Sequence, residues 1–211
     1  MRSEKFIRVE GIYDKNTLSH LIKNGITHFC FDFRVKSFNF LQQYKFLDFL
    51  RDHYQLNHNY YLRYEGERDY IIQKMIDDIK LEYNLVNFFL EFSGGEPLPF
   101  VEQYEVKFFY HVPDWIFRDL DKLKETDRIL KSKKLEGIVL HSVRDLAKFL
   151  DLKDIKKILG LNWPISWDFV KNFQQDFDIY SFSIDETVED DFRVVNLGKL
   201  DPFLEKMRQR M

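Results

Sequence analysis

Eight times along this chain, a short apolar run rich in β-branched and aromatic residues gives way to a segment with helical spacing. The runs cover residues 6–12, 27–33, 59–64, 85–92, 105–111, 137–141, 156–161 and 179–184. Strict alternation of this kind places helices over the faces of a parallel sheet, so the chain reads as α/β. Eight units in 211 residues leave about 26 residues each, the lower end of what a closed (β/α)8 barrel of eight parallel strands needs. An open doubly wound sheet meets the same alternation and is the competing arrangement. No Gly/Ser/Pro-rich linker or low-complexity stretch interrupts the pattern, so residues 1–211 read as a single domain.

The helical segments follow from spacing and punctuation. Asp14 and Asn16 start the first helix, Leu18, Leu21 and Ile22 recur along it, and Asn24-Gly25 stops it. Residues 40–52 carry Leu41, Tyr44, Leu47 and Leu50 on one stripe, and residues 67–81 turn Ile71, Ile72, Met75, Ile76 and Ile79 inward. Further helices are expected at 99–103, 114–131, 143–150 and 163–175. Asp201-Pro202 reads as a cap and first turn opening a helix through 208. Trp163, Trp167, Phe169, Phe173 and Phe177 read as core or helix-covering residues.

The first run, Phe6-Ile7-Arg8-Val9-Glu10-Gly11-Ile12, sets Arg8 and Glu10 on one face and Ile7 and Val9 on the other. That suits a barrel strand with aliphatics toward the helices and chemistry inside. Composition narrows the rest. A net charge of -3 supplies no basic footprint for nucleic acid. One cysteine, Cys30, excludes an internal disulfide and a Cys-based zinc site. No apolar run is long enough for a membrane span, and Met1-Arg2-Ser3-Glu4-Lys5 leads into no signal-peptide core, so a cytoplasmic protein is expected.

Five stretches, in order and in register with the eight units, resemble phosphoribosylanthranilate isomerase. They are Val9-Glu10-Gly11-Ile12, Phe31-Asp32-Phe33-Arg34-Val35-Lys36-Ser37, Gly95-Glu96-Pro97, Gly160-Leu161-Asn162 with Pro164, and Gly198-Lys199-Leu200-Asp201-Pro202. The resemblance spans nearly the whole chain. It implies a TIM barrel and, by descent, an Amadori rearrangement of a phosphoribosylated aromatic amine in tryptophan synthesis, with no cofactor and no metal. It also marks departures. Glu10 stands where the family keeps its general-base Cys, and His141 stands where it keeps its general-acid Asp. Asn39 replaces an Arg that helps hold the anthranilate, and Tyr180 replaces an Asp of the last strand. Of the Gly-rich phosphate loops, Gly160 survives from the first, while the second reads Phe182-Ser183-Ile184.

These positions make up the candidate site. Glu10 as base and His141 as acid would rebuild an acid/base pair at the C-terminal end of the strands, desolvation raising the Glu10 pKa while Arg8 opposes the rise. The competing reading is a structural Arg8–Glu10 interaction filling the barrel floor and a His141 merely hydrogen-bonded at a strand end. Arg8, Lys36, Asn39 and Tyr180 are candidate substrate contacts. Gly160, Asn162 and Ser183 are candidate phosphate contacts through backbone N–H groups and a hydroxyl. The turn Ser93-Gly94-Gly95 is either an added anion nest or a plain loop. The acidic stretch 185–191 either folds over the mouth, where it repels phosphate, or points to solvent. A diverged isomerase predicts a ligand that is a small molecule, phosphorylated where the loops still accept phosphate, bound by a monomer or homodimer. A non-catalytic binding barrel predicts a mouth plugged by bulky side chains such as Phe182 or Tyr180.

Overall fold

Ile7 and Val9 are buried against the helical layer, while Arg8 and Glu10 point into the barrel. β1 (Phe6–Glu10) thus divides its two faces as the alternation requires. The computed structural model describes residues 5–93, 95–112, 120–141, 149, 152, 155–161, 176–185 and 187–210. Seven more parallel strands follow: β2 (His28–Asp32), β3 (Asn59–Tyr64), β4 (Phe88–Phe92), β5 (Phe108–Val112), β6 (Leu135–Leu140), β7 (Lys156–Leu161) and β8 (Ile179–Ser183). They pair in chain order and β8 returns to β1, closing the barrel and excluding the open sheet. In the closing register Glu10 lies level with Cys30 of β2 and Ser183 of β8.

Six helices are described: α1 (Lys15–Lys23), α2 (Gln43–His53), α3 (Asp69–Glu82), α4 (Leu98–Glu102), α5 (Leu120–Ile129) and α6 (Leu197–Arg210). Asp14 caps α1, its carboxylate accepting from Thr17 N at 2.8 Å. The main core lies between barrel and helices. There Phe31, Phe46 and Phe49 interlock, and Ile72, Met75, Ile76 and Ile79 cover the strands. A second, smaller apolar cluster fills the lower barrel interior: Cys30, Tyr61, Phe89, Phe109, Val139, Ile158 and Ile179, with Phe6 against them.

Several boundaries differ from the periodicity, each for a local reason. β1 stops at Glu10 because Gly11 turns the chain at φ 76, where a Cβ would sit 2.3 Å from Asn39 Nδ2. Asn84 accepts from Val86 N at 3.0 Å and curls Leu85–Asn87 into a 3-10 turn, so β4 starts at Phe88. α2 starts at Gln43 and buries Phe46, Phe49 and Leu50, which leaves Tyr44 exposed. The last helix starts at Leu197, because Asn196 accepts from Lys199 N at 3.2 Å and takes the cap expected of Asp201. The acidic stretch forms a hairpin, β9 (Glu189–Asp191) with β10 (Val194–Val195). The expected helices at 143–150, except for Phe149, and at 163–175, the start of 114–131, Gly94, Asn162, Trp163, Trp167, Phe169 and Phe173 lie outside the described residues.

Candidate active site

Above the apolar floor, seven of the described side chains, Arg8, Glu10, Arg63, Glu91, His111, His141 and Ser181, belong to one network. Arg8 is fully buried, its guanidinium 4.8 Å from the centre of the Tyr61 ring beneath it. It pairs with Glu91 of β4, with Glu10 at 2.5 Å, and donates to Ser181 Oγ at 2.8 Å. Ser181 donates in turn to Glu10 at 2.6 Å. Arg63 of β3 closes the other side of Glu10 at 3.2 Å and lies 3.8 Å from Glu91. His111 of β5 meets Glu91 through Nε2 at 2.5 Å, and His141, just past β6, meets His111 Nδ1 through its own Nε2 at 2.7 Å. The two imidazole planes are within 19° of each other and meet edge to edge, with centroids 4.8 Å apart. These groups project from the C-terminal halves of β1, β3, β4, β5 and β8, where barrels of this kind carry their chemistry.

The charges decide the protonation states. Burial alone would raise the Glu10 pKa, but Arg8 and then Arg63 outweigh it and hold the carboxyl well below the usual range. Glu91 is depressed the same way, with Arg8 and His111 outweighing burial. Two carboxylates and two guanidiniums therefore form a neutral, ionised tier. Burial, reinforced by Arg63, lowers His111 to about 3 against the pull of Glu91. His141 is exposed at the rim, yet crowding of its ring lowers its pKa too, with Glu10 opposing. Burial followed by the Glu91 charge raises the Cys30 thiol, so it is a packing group and no nucleophile.

The site residues read from the sequence separate into groups. Arg8, Glu10 and His141 share the network. The rise expected for the Glu10 pKa is reversed, because two guanidiniums outweigh desolvation. Asn39 and Ser183 meet at the β8 end, Asn39 Nδ2 donating to Ser183 Oγ at 3.2 Å and to the Ile184 carbonyl at 2.8 Å. Ile184 N is spent on the Glu10 carbonyl at 2.9 Å, so that amide is not turned toward a ligand. Gly160 faces the barrel under His141, whose Nδ1 would lie 2.2 Å from an added Cβ. Lys36 is exposed in the β2–α2 loop. Tyr180 and Phe182 face the helical layer, against Phe177 and Phe203 respectively. Strand alternation turns Ser181 and Ser183 inward instead, so neither aromatic ring plugs the mouth and Tyr180 stands away from it. Glu96 accepts from Gly66 N and Gly95 N, both at 3.1 Å, which ties the turn after β4 to the loop after β3.

Sequence reasoning missed Arg63, Glu91, His111 and Ser181. Each is the lone polar residue, or nearly so, within a buried strand. Each stands at an alternate position whose neighbours Leu62, Leu90, Tyr110 and Phe182 belong to the outer core. That alternation was the available signal.

A closed eight-stranded parallel barrel with an ionised tier at the C-terminal strand ends defines the TIM-barrel class. Within that class, the fold is the one found in phosphoribosylanthranilate isomerase. The enzyme from Thermotoga maritima superposes with a TM-score of 0.70 at 13% identity, over 97% of this chain and 99% of that one. The enzyme from Thermus thermophilus gives 0.68 at 12% identity, over 98% and 100%. A phosphoribosylanthranilate isomerase in complex with reduced 1-(o-carboxyphenylamino)-1-deoxyribulose 5-phosphate gives 0.70 at 12%, over 97% and 99%. No family model matches the sequence, and no curated relative does. Among the described residues no helix is long and apolar enough to cross a membrane.

Proposed function

We propose that this chain is a barrel of the phosphoribosylanthranilate isomerase type that has lost the Amadori rearrangement and performs proton transfer at His141 on a different small molecule. The observation that carries this reading is the clamp on Glu10. Its Oε1 is held by Arg8 and Ser181 and its Oε2 by Arg63. A carboxylate stabilised that strongly is a poor base at neutral pH. His141 is neutral, exposed and carries the remaining basic lone pair of the tier. Phosphate contact at the β8 end is weakened as well, because Ile184 N and Ser183 Oγ are engaged with the protein. The protein is cytoplasmic, a monomer or homodimer, and needs no cofactor.

The test is direct. Purified protein given phosphoribosylanthranilate turns over none, and the gene does not rescue a tryptophan auxotroph. Titration with inorganic phosphate gives no heat of binding at the barrel mouth. Turnover of that substrate, abolished by Glu10→Gln in a folded protein, would overturn the proposal. A second reading, a non-catalytic binding barrel, draws on the completeness of the charge pairing. It predicts that His141→Gln leaves every measurable reaction of the protein unchanged.

A further inference from the structure

Glu91 on β4, His111 on β5 and His141 just past β6 touch in series, and the hydrogen bonds along them have a direction. Arg63 Nη2 lies 3.4 Å from His111 Nδ1, and a guanidinium can only donate. His111 Nδ1 is therefore a lone pair. Glu91, ionised against Arg8, can only accept, so the ring proton of His111 is on Nε2 and points to Glu91. His111 Nδ1 has a single in-plane lone pair, so the 2.7 Å contact is its main bond, a donation from His141 Nε2–H, with the Arg63 N–H at 3.4 Å as the long arm of a three-centre bond. Every proton of the series points inward. The lone pair left over is on His141 Nδ1, over the bare Cα of Gly160, and no hydrogen-bond partner meets it among the described residues.

We infer that His111 and Glu91 are positioning residues that lock His141 in its Nε2–H tautomer, making Nδ1 the atom that takes a proton from the substrate. The inference rests on the reading of His141 as the proton-transfer centre and adds the atom and its support. In the step, the substrate C–H or O–H bond breaks, its electron pair stays on the substrate, and the proton forms a bond to His141 Nδ1. The resulting imidazolium keeps its Nε2–H on His111, whose own Nε2–H is held by the Glu91 carboxylate. This is the logic by which a buried carboxylate holds a catalytic imidazole in one tautomer, with a second imidazole placed between them. Gly160 completes the arrangement, because any side chain there would occupy the space of the ring.

The tautomers can be read without knowing the substrate. In full-length protein labelled with 15N-histidine at pH 7, two-bond proton–nitrogen correlation is expected to give a single Nε2–H pattern for both His111 and His141. In His111→Phe, which has no acceptor, the His141 pattern is expected to collapse to the averaged signal of two tautomers. In His111→Gln, whose side-chain carbonyl can accept from Nε2–H, the locked pattern is expected to return. An Nδ1–H or mixed pattern for His141 in the native protein overturns the inference, as does an unchanged lock in His111→Phe. If His111→Phe does not fold, the native pattern alone decides. Turnover of phosphoribosylanthranilate would remove the functional reading while leaving the tautomer assignment to stand or fall on these spectra.

Discussion

Arg8 is the residue on which the interior depends, since its guanidinium holds both buried carboxylates and rests on Tyr61. Removing one partner of a buried ion pair costs about 3–5 kcal/mol, because the other charge stays buried without compensation. Arg8→Met should therefore lower the unfolding free energy by about that much in urea titrations. In a Glu10→Gln/Glu91→Gln background the same change should cost far less, since neutral amides need no counter-charge. Equal costs in both backgrounds would show that Arg8 acts by packing alone. At this scale the sequence was half legible. The spacing of Arg8 and Glu10 put them together on the inner face. Their outcome as a clamped pair depended on Arg63, 53 positions from Glu10, and Glu91, 83 positions from Arg8 along the chain. No local pattern reveals that two guanidiniums converge on one carboxylate, and that convergence reversed the expected direction of the Glu10 pKa.

The elements were the most legible level, because burial on both faces gives parallel strands their near-continuous apolar runs. The hairpin of β9 and β10 was not, because its sequence reads as a charge cluster. Its acids are individually employed. Glu189 is buried and accepts from Tyr13, while Asp190 pairs with Lys199 at 3.0 Å and accepts from Asn196. Arg193 holds the turn at φ 59, a conformation unusual for a residue with a Cβ. It is kept there by donation to the Phe40 carbonyl at 2.8 Å and by stacking 4.6 Å above Tyr13. The stretch is pinned beside the β1 and β2 loops through Tyr13 and Phe40, while Asp190 and Asp191 point to solvent, one of the two outcomes expected for it. Tyr13→Phe removes the hydroxyl and leaves the buried Glu189 carboxylate with only the Arg193 N–H at 3.3 Å, a loss of about 1–3 kcal/mol that belongs to the hairpin. Hydrogen exchange should quicken at Asn196, whose N donates to Val188 at 2.7 Å, with the β1–β8 amides unchanged. Equal acceleration throughout the barrel would mean that the hairpin is part of the global folding unit.

For the whole molecule, the barrel interior makes stability depend on pH in a definite direction. His28 in the floor, hydrogen-bonded to Tyr61 at 2.9 Å, and His111 in the tier both fall from 6.5 to about 3, burial being the largest cause for each. Arg8 adds to the shift at His28, and Arg63 adds to it at His111. Between those values the unfolded chain binds protons that the folded barrel refuses, so stability falls as pH drops through that window. At 1.36 kcal/mol per unit, lowering the pH from 6.5 to 5 costs about 2 kcal/mol for each histidine. His58 and His141 are shifted in the same direction. The depressed Glu10 and Glu91 add to the loss only below about 4.5, where carboxylates in the unfolded chain begin to take protons. Unfolding in urea should therefore require less denaturant at pH 5 than at pH 7, by an amount equivalent to about 4 kcal/mol for the two imidazoles together. His28→Asn keeps a polar side chain in the floor without a titrating ring, and should remove about half of that dependence. A flat profile between pH 7 and 5 would mean that the floor and the tier admit protons, and with them water, which would contradict the burial of His28 and His111.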